Sequence, residues 1–128
     1  MRASWSNPSP LRIFIVEDHS DTLETLRLYL ERLGHIVMSA RSKEEALKEV
    51  PGARCDVLLT DIGLPDGNGW ELVEEVGESR PAYAIAMSGY GLRADLDRSA
   101  EAGFRHHLIK PISAKKLDTL LKEAAAER

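Results

Sequence analysis

The sequence predicts a doubly wound α/β domain, with one five-stranded parallel sheet covered on both faces by five helices. Three observations carry this expectation. Short β-branched and apolar runs recur five times along the 128 residues, separated by stretches whose apolar residues repeat at spacings of three and four. The transitions between them fall on Gly, Pro, Ser, Asn or Asp, residues that start and stop regular structure. Alternation of the two element types is the pattern of a parallel sheet with crossover helices.

The elements follow in order. Leu11 to Val16 is a short β-rich run that stops at Glu17-Asp18. Leu23, Leu26, Leu30 and Leu33 then mark one face of an amphipathic helix, which Gly34 closes. His35 to Ala40 reads as a second strand, and Ser42-Lys43-Glu44-Glu45 opens a second helix with the capping-box pattern. Pro51-Gly52 is expected to end that helix. Asp56 to Thr60 is nearly continuous in apolar residues, the mark of a strand buried on both faces. Asp61 to Gly69 reads as a loop, near whose end Asn68 caps a third helix carrying Trp70, Leu72, Val73 and Val76. Tyr83 to Met87 gives a fourth strand that ends at Ser88-Gly89. A fourth helix is expected from about Leu92 to Ala102, with Leu92, Leu96 and Ala100 on one face and Gly103 after it. Phe104 to Ile109 supplies the fifth strand, stopped by Lys110-Pro111. Ser113 caps a last helix whose Leu117, Leu120, Leu121 and Ala124 form the apolar stripe.

Composition narrows the class. Hydrophobic residues make up 43% and charged residues 30% of the chain, the balance of a soluble globular domain able to build one core. The formal net charge of −4 argues against a nucleic-acid footprint, which needs clustered Lys and Arg. Cys55 is the single cysteine, so neither an intrachain disulfide nor a thiolate metal cluster can form, and a reducing, cytoplasmic setting is expected. No apolar run reaches the roughly 18 residues a spanning helix needs, so no membrane association is expected. Residues 1–10, with Trp5 among Ser, Asn and Pro, read as a flexible leader before a domain over residues 11–128.

In an open parallel sheet, ligands bind at the carboxyl ends of the strands. There the sequence places Glu17-Asp18 after strand one, Asp61 after strand three, Ser88 after strand four and Lys110 after strand five. Crowded carboxylates repel one another and resolve this by a raised pKa or a bound cation. An all-oxygen set with few carboxylates suits Mg²⁺, and Mg²⁺ in turn suits phosphate. A nucleophilic carboxylate, a metal, an ammonium and a hydroxyl donor are the parts for phosphoryl transfer by positioning and charge neutralisation. Asp61 is the central acid, with the acidic pair to one side and Lys110 to the other. His106 and His107 are adjacent strand residues pointing to opposite faces, so they cannot chelate a metal together. His19 reads as an exposed loop histidine, Cys55 as an inert small residue, and Trp70 as packing beside the loop.

Glu17-Asp18, Asp61-Ile62-Gly63-Leu64-Pro65-Asp66-Gly67-Asn68-Gly69, Ser88-Gly89 and Lys110-Pro111 together resemble the motif set of response-regulator receiver domains, in chain order from Leu11 onward. The resemblance implies a flavodoxin-like sheet of order 2-1-3-4-5 and a phosphoacceptor in a two-component phosphorelay, served by a sensor histidine kinase or a histidine phosphotransfer protein. It implies Asp61 as phosphoacceptor, Asp18 as a direct Mg²⁺ ligand, Glu17 as holder of a metal-bound water, and the Gly63 backbone carbonyl as a further ligand. Ser88 and Lys110 would bind phosphoryl oxygens, the Lys110–Pro111 bond would be cis, and Gly63 and Tyr90 would modulate the acyl-phosphate lifetime. Autophosphatase activity is the only turnover implied. Ser88 and position 107 form the family's switch, and here an expected aromatic is replaced by His107.

Two other enzyme or carrier classes fit less well. A haloacid-dehalogenase-type phosphatase needs a second Asp two residues after the nucleophile, where Gly63 stands. A flavodoxin-like electron carrier has no use for the acids and needs a phosphate-cradling loop after strand one. A non-phosphorylated pseudo-receiver scaffold is the alternative from the binding class. With no output module expected after the last helix, output falls to contact with a downstream protein, either by a stand-alone regulator or by a receiver of a hybrid kinase.

Overall fold

A computed structural model of the chain describes residues 10–127 apart from 90 and 92. Residues 1–9 of the expected leader over residues 1–10, Trp5 among them, and the expected roles of Tyr90 and Leu92 lie outside the described residues. The ten main elements are β1 (Arg12–Val16), α1 (Ser20–Arg32), β2 (Ile36–Ala40), α2 (Lys43–Ala53), β3 (Val57–Asp61), α3 (Gly69–Val76), β4 (Tyr83–Ser88), α4 (Arg93–Ala102), β5 (His106–Ile109) and α5 (Ala114–Glu127). All neighbouring strands pair in parallel, in the order β2-β1-β3-β4-β5. The doubly wound sheet is therefore as the sequence predicts.

Strand alternation divides the interior into two layers. Ile13 and Ile15 of β1, with Val57 and Leu59 of β3 and Ile85 and Met87 of β4, meet Leu23, Leu26 and Leu30 of α1 and Leu117, Leu120 and Leu121 of α5. Phe14, Val16, Leu58, Ala84 and Ala86 point the other way, onto Val50 of α2 and Trp70, Leu72 and Val73 of α3. β3 is buried along its whole length, which explains its lack of polar alternation.

Several boundaries differ from expectation for identifiable reasons. α2 passes through Pro51-Gly52 and ends at Ala53, with Arg54 in the left-handed region at φ 52°. Arg12 makes this ending possible, because its guanidinium donates to the Ala53 carbonyl at 2.9 and 3.2 Å and to that of Arg54 at 3.2 Å. The loop after Asp61 contains a two-residue antiparallel ribbon, Gly63–Leu64 with Gly67–Asn68. α4 buries Ser99 and Ala102, while Leu96 is half-buried and Ala100 is exposed, so the expected apolar stripe is not the face that packs. α1 closes as expected. Gly34 takes φ 95°, its N–H donates to the Glu31 carbonyl at 2.9 Å, and His35 N–H donates to that of Leu30 at 3.1 Å. Among the described residues no helix is long and apolar enough to cross a membrane.

His35, expected as the first strand residue, precedes β2 and is buried. Its Nδ1 accepts the Leu11 N–H at 3.0 Å. Burial holds the ring below the ordinary histidine range, with Asp118 opposing more weakly. A base with a depressed folded pKa contributes stability that is present above its unfolded value near 6.5 and is lost as pH falls through the folded value. The melting temperature is expected to fall between about pH 7.5 and about pH 5. His35→Asn, which can keep an acceptor for Leu11 N–H without titrating, should shallow that slope. Equal slopes in thermal melts of the two proteins would contradict this account.

Candidate functional site

The carboxyl edge of the sheet collects the residues singled out above. The Glu17 N–H continues the ladder onto the Ala40 carbonyl at 3.1 Å, which fixes the acidic pair directly above β1. Asp61 is the last residue of β3 and Ser88 the last of β4. The Lys110 N–H bonds to the Ser88 carbonyl at 2.7 Å, so β5 delivers the lysine beside them. The Lys110–Pro111 bond is cis.

The lysine bridges two acids. Its Nζ donates to Glu17 Oε1 and to Asp61 Oδ2, each at 2.8 Å, across sequence separations of 93 and 49 residues. Glu17 is 0% exposed and Asp61 6%. Asp61 Oδ1 accepts the Gly63 N–H at 3.2 Å, and Glu17 Oε2 accepts the His19 N–H at 3.2 Å. Gly69 allows this packing, because a Cβ there would lie 2.8 Å from the Asp61 carbonyl oxygen.

One ammonium cannot fully compensate this group. Burial is the leading influence that lifts Asp61 above the ordinary carboxylate range, and the charge of Glu17 adds to it against Lys110 and the Gly63 N–H. Burial acts on Glu17 in the same sense. There it is outweighed by the Lys110 hydrogen bond and charge together with the bonds from His19, and the carboxyl is held low. Burial likewise works against the Lys110 ammonium, yet its two carboxylate partners raise it. The ammonium thus serves Glu17 more completely and leaves Asp61 the more basic of the two.

A cation fits beside them. Asp18 Oδ1 is buried and has no hydrogen-bond partner among the described residues. Ligand atoms of Glu17, Asp18, His19 and Asp61 all lie within 4.8 Å of one another. His19, read from the sequence as a bystander, is 71% exposed in its side chain, but its Nδ1 stands 3.2 Å from Glu17 Oε2 and 3.5 Å from Asp18 Oδ1. With three carboxylates against one ammonium, the charge balance favours a divalent ion, and the oxygen majority favours a hard one. Gly63 is exposed and opens the site at its rim.

Ser88 is turned toward His107, whose Nε2 lies 2.6 Å from its Oγ. His107 Nδ1 lies 2.8 Å from Ser99 Oγ, which in turn accepts the Trp70 indole N–H at 2.9 Å. Burial lowers the His107 pKa, with Asp95 opposing. His106 faces the other way, with Nε2 3.1 Å from Glu123 Oε1. Sequence reading missed Ser99 as part of this group. The available signal was its position three residues after Leu96 and three before Ala102, on a face that packs.

The family model of the response regulator receiver domain matches residues 13–122. The chain belongs to that family. Among similar proteins, the virulence sensor protein BvgS of Bordetella bronchiseptica is 36% identical over 98% of this chain. The receiver spans only 11% of that sensor's length. The response regulator protein PilR of Pseudomonas aeruginosa is 32% identical over 88% of this chain and 26% of its own. A solved CheY-like receiver domain from Methanospirillum hungatei JF-1 superposes with a TM-score of 0.85 at 32% identity, covering 93% of this chain and 96% of that one. The receiver fold and its place in two-component signalling are thereby shown. Receiver domains accept a phosphoryl group and engage kinases or phosphotransfer proteins and downstream targets.

Proposed function

We propose that this receiver accepts a phosphoryl group on Asp61 in a Mg²⁺-dependent reaction, from a sensor histidine kinase or a histidine phosphotransfer protein in the cytoplasm. The observation that carries the reading is the Lys110 ammonium bridging Asp61 and the fully buried Glu17 at 2.8 Å. Asp18, Asp61 and the Gly63 carbonyl would hold the ion, with Glu17 as an outer partner. The buried Asp18 Oδ1, which has no hydrogen-bond partner among the described residues, supports that assignment. When bound, Mg²⁺ supplies positive charge against the phosphoryl oxygens.

An Asp61 carboxylate oxygen attacks phosphorus. A P–O bond forms, the bond from phosphorus to the donor nitrogen breaks, and its electron pair stays with the donor. Lys110 then meets the added charge with an ammonium already in place, and Ser88 supplies a hydroxyl donor. Hydrolysis of the acyl phosphate by water returns Asp61 and constitutes the autophosphatase activity, with Gly63 at the exposed rim of the site. Output is by contact with a downstream protein, from a stand-alone regulator or from a receiver within a hybrid kinase.

Intact-mass measurement after incubation with acetyl phosphate tests the reading. One phosphoryl group per chain is expected with Mg²⁺, little without it, and removal by hydroxylamine. A chain that never labels would instead be a pseudo-receiver. Asp18→Ala should weaken Mg²⁺ binding by about tenfold or more, measured by calorimetry, since it removes a charged ligand. An unchanged affinity would take Asp18 out of the ligand set.

A further inference from the structure

The indole nitrogen of Trp70 can only donate, so its 2.9 Å bond has a fixed direction and Ser99 Oγ is the acceptor. Ser99 is buried, at 1% exposure, and its hydroxyl carries one hydrogen. Among the described residues its oxygen has two partners, the indole and His107 Nδ1 at 2.8 Å. If Nδ1 carried a proton, the Ser99 oxygen would accept twice and its own hydrogen would be buried without an acceptor, which is costly. The opposite arrangement gives the indole, Ser99 and ring hydrogens an acceptor each. Ser99 donates to Nδ1, the ring proton sits on Nε2, and Nε2–H points at Ser88 Oγ 2.6 Å away.

We propose that Ser99 is a positioning residue for the phosphoryl-site hydroxyl: the chain Trp70→Ser99→His107→Ser88 holds His107 as the Nε2–H tautomer and makes Ser88 the acceptor toward the ring. The Ser88 hydroxyl hydrogen is then directed away from His107, as a donor to a phosphoryl oxygen must be. The donors all run one way, from α3 through α4 and β5 to the site, so each bond polarises the next. Burial keeps the ring neutral, the form in which one nitrogen can accept while the other donates. Arg98 lies over the Trp70 ring at 4.1 Å and places a charged group of α4 at the outer end of the chain. The consequence for phosphoryl binding rests on the phosphoacceptor reading, whereas the tautomer does not.

Long-range ¹H–¹⁵N spectra of the histidine rings decide the matter on the free protein, without metal or phosphodonor. A pyrrole-type Nε2 and a pyridine-type Nδ1 are expected for His107 in the wild type. Ser99→Ala should convert that pattern to a mixture or to the Nδ1–H form, and Ser99→Thr, which keeps the hydroxyl, should restore it. A wild-type ring protonated on Nδ1 overturns the proposal whether or not the variants fold, as does an unchanged pattern in a folded Ser99→Ala. In a second arm, beryllofluoride with Mg²⁺ should bind Ser99→Ala about tenfold more weakly than wild type and Ser99→Thr equally well, as expected for loss of one aligned hydrogen bond. Equal affinity of all three would overturn the positioning role. If the wild type shows the expected tautomer but takes up neither acetyl phosphate label nor beryllofluoride, the phosphoacceptor reading fails and the hydrogen-bond chain stands.

Discussion

Asp61→Asn is expected to take up no phosphoryl group from acetyl phosphate and, without divalent cation, to melt about 3–6 °C above the wild type. The first effect follows from the proposed role of Asp61 as acceptor, since an amide does not form an acyl phosphate. The second follows from electrostatics. Burial and the neighbouring Glu17 raise the Asp61 pKa, so its ionised form costs the fold stability at neutral pH. Relief of one partly compensated like-charge contact is worth about 1 kcal/mol, which gives the stated shift for a domain of this size. A raised folded pKa means that the stabilising contribution is present below the unfolded value and is lost as pH rises through the folded one. The advantage of the Asn variant should therefore shrink toward about pH 4 and below, where Asp61 is protonated in both states. Mass spectrometry and thermal melts across pH measure both effects. Normal labelling of the variant would move the acceptor to another residue, and a lower melting temperature at neutral pH would reverse the electrostatic account.

Lys110→Met removes the ammonium and keeps most of the apolar stem. Glu17, 0% exposed, is then left facing Asp61 with no cation between them. The expected cost is about 2–3 kcal/mol in denaturant unfolding without metal, at the upper end for stranding a buried partner. Mg²⁺ should recover more stability in this variant than in the wild type, because the ion enters a more negative site. Phosphorylation by acetyl phosphate should slow by about a hundredfold, the scale for losing one preorganised donor to a developing charge. An unfolding free energy equal to the wild type would show that the bridge is solvated rather than structural.

Much of this was legible because it is carried by local pattern. The apolar runs of β1, β3 and β4 are nearly continuous because both faces of each strand are buried, while the leucine stripes of α1 and α5 have one burial direction each, which periodicity reports. The site's members were legible because strand ends in a parallel sheet must lie on one edge, so Glu17, Asp18, Asp61, Ser88 and Lys110 converge whatever the details. What escaped depends on contacts between distant segments. The extension of α2 through Pro51-Gly52 relies on a guanidinium from β1, which no local signal announces. Ser99 is polar and sits in a helix of mixed character, so an apolar-stripe reading chose Leu96 and Ala100 instead; the face is set by hydrogen bonds to Trp70 and His107. The ribbon beyond Asp61 is too short for periodicity to register at all.

The tip of that ribbon bears on how the site responds to an ion. Asp66 accepts the N–H groups of Lys43 and Glu44 at 2.8 Å each, while Ser42 accepts that of Glu45 at 3.1 Å, so α2 begins on a carboxylate lent by the loop. Asn68 and Glu71 lock the other end of the loop to α3 by reciprocal bonds at 2.9 and 3.1 Å. Gly63, which pairs with Asn68 across the ribbon and donates its N–H to Asp61 Oδ1, is therefore held in place before any ligand arrives. The conformational freedom of this segment, about 1–2 kcal/mol for each backbone residue, is surrendered when the chain folds rather than when an ion binds. Ion affinity at this edge is then governed by charge and desolvation, and it should depend steeply on ionic strength and weakly on loop entropy.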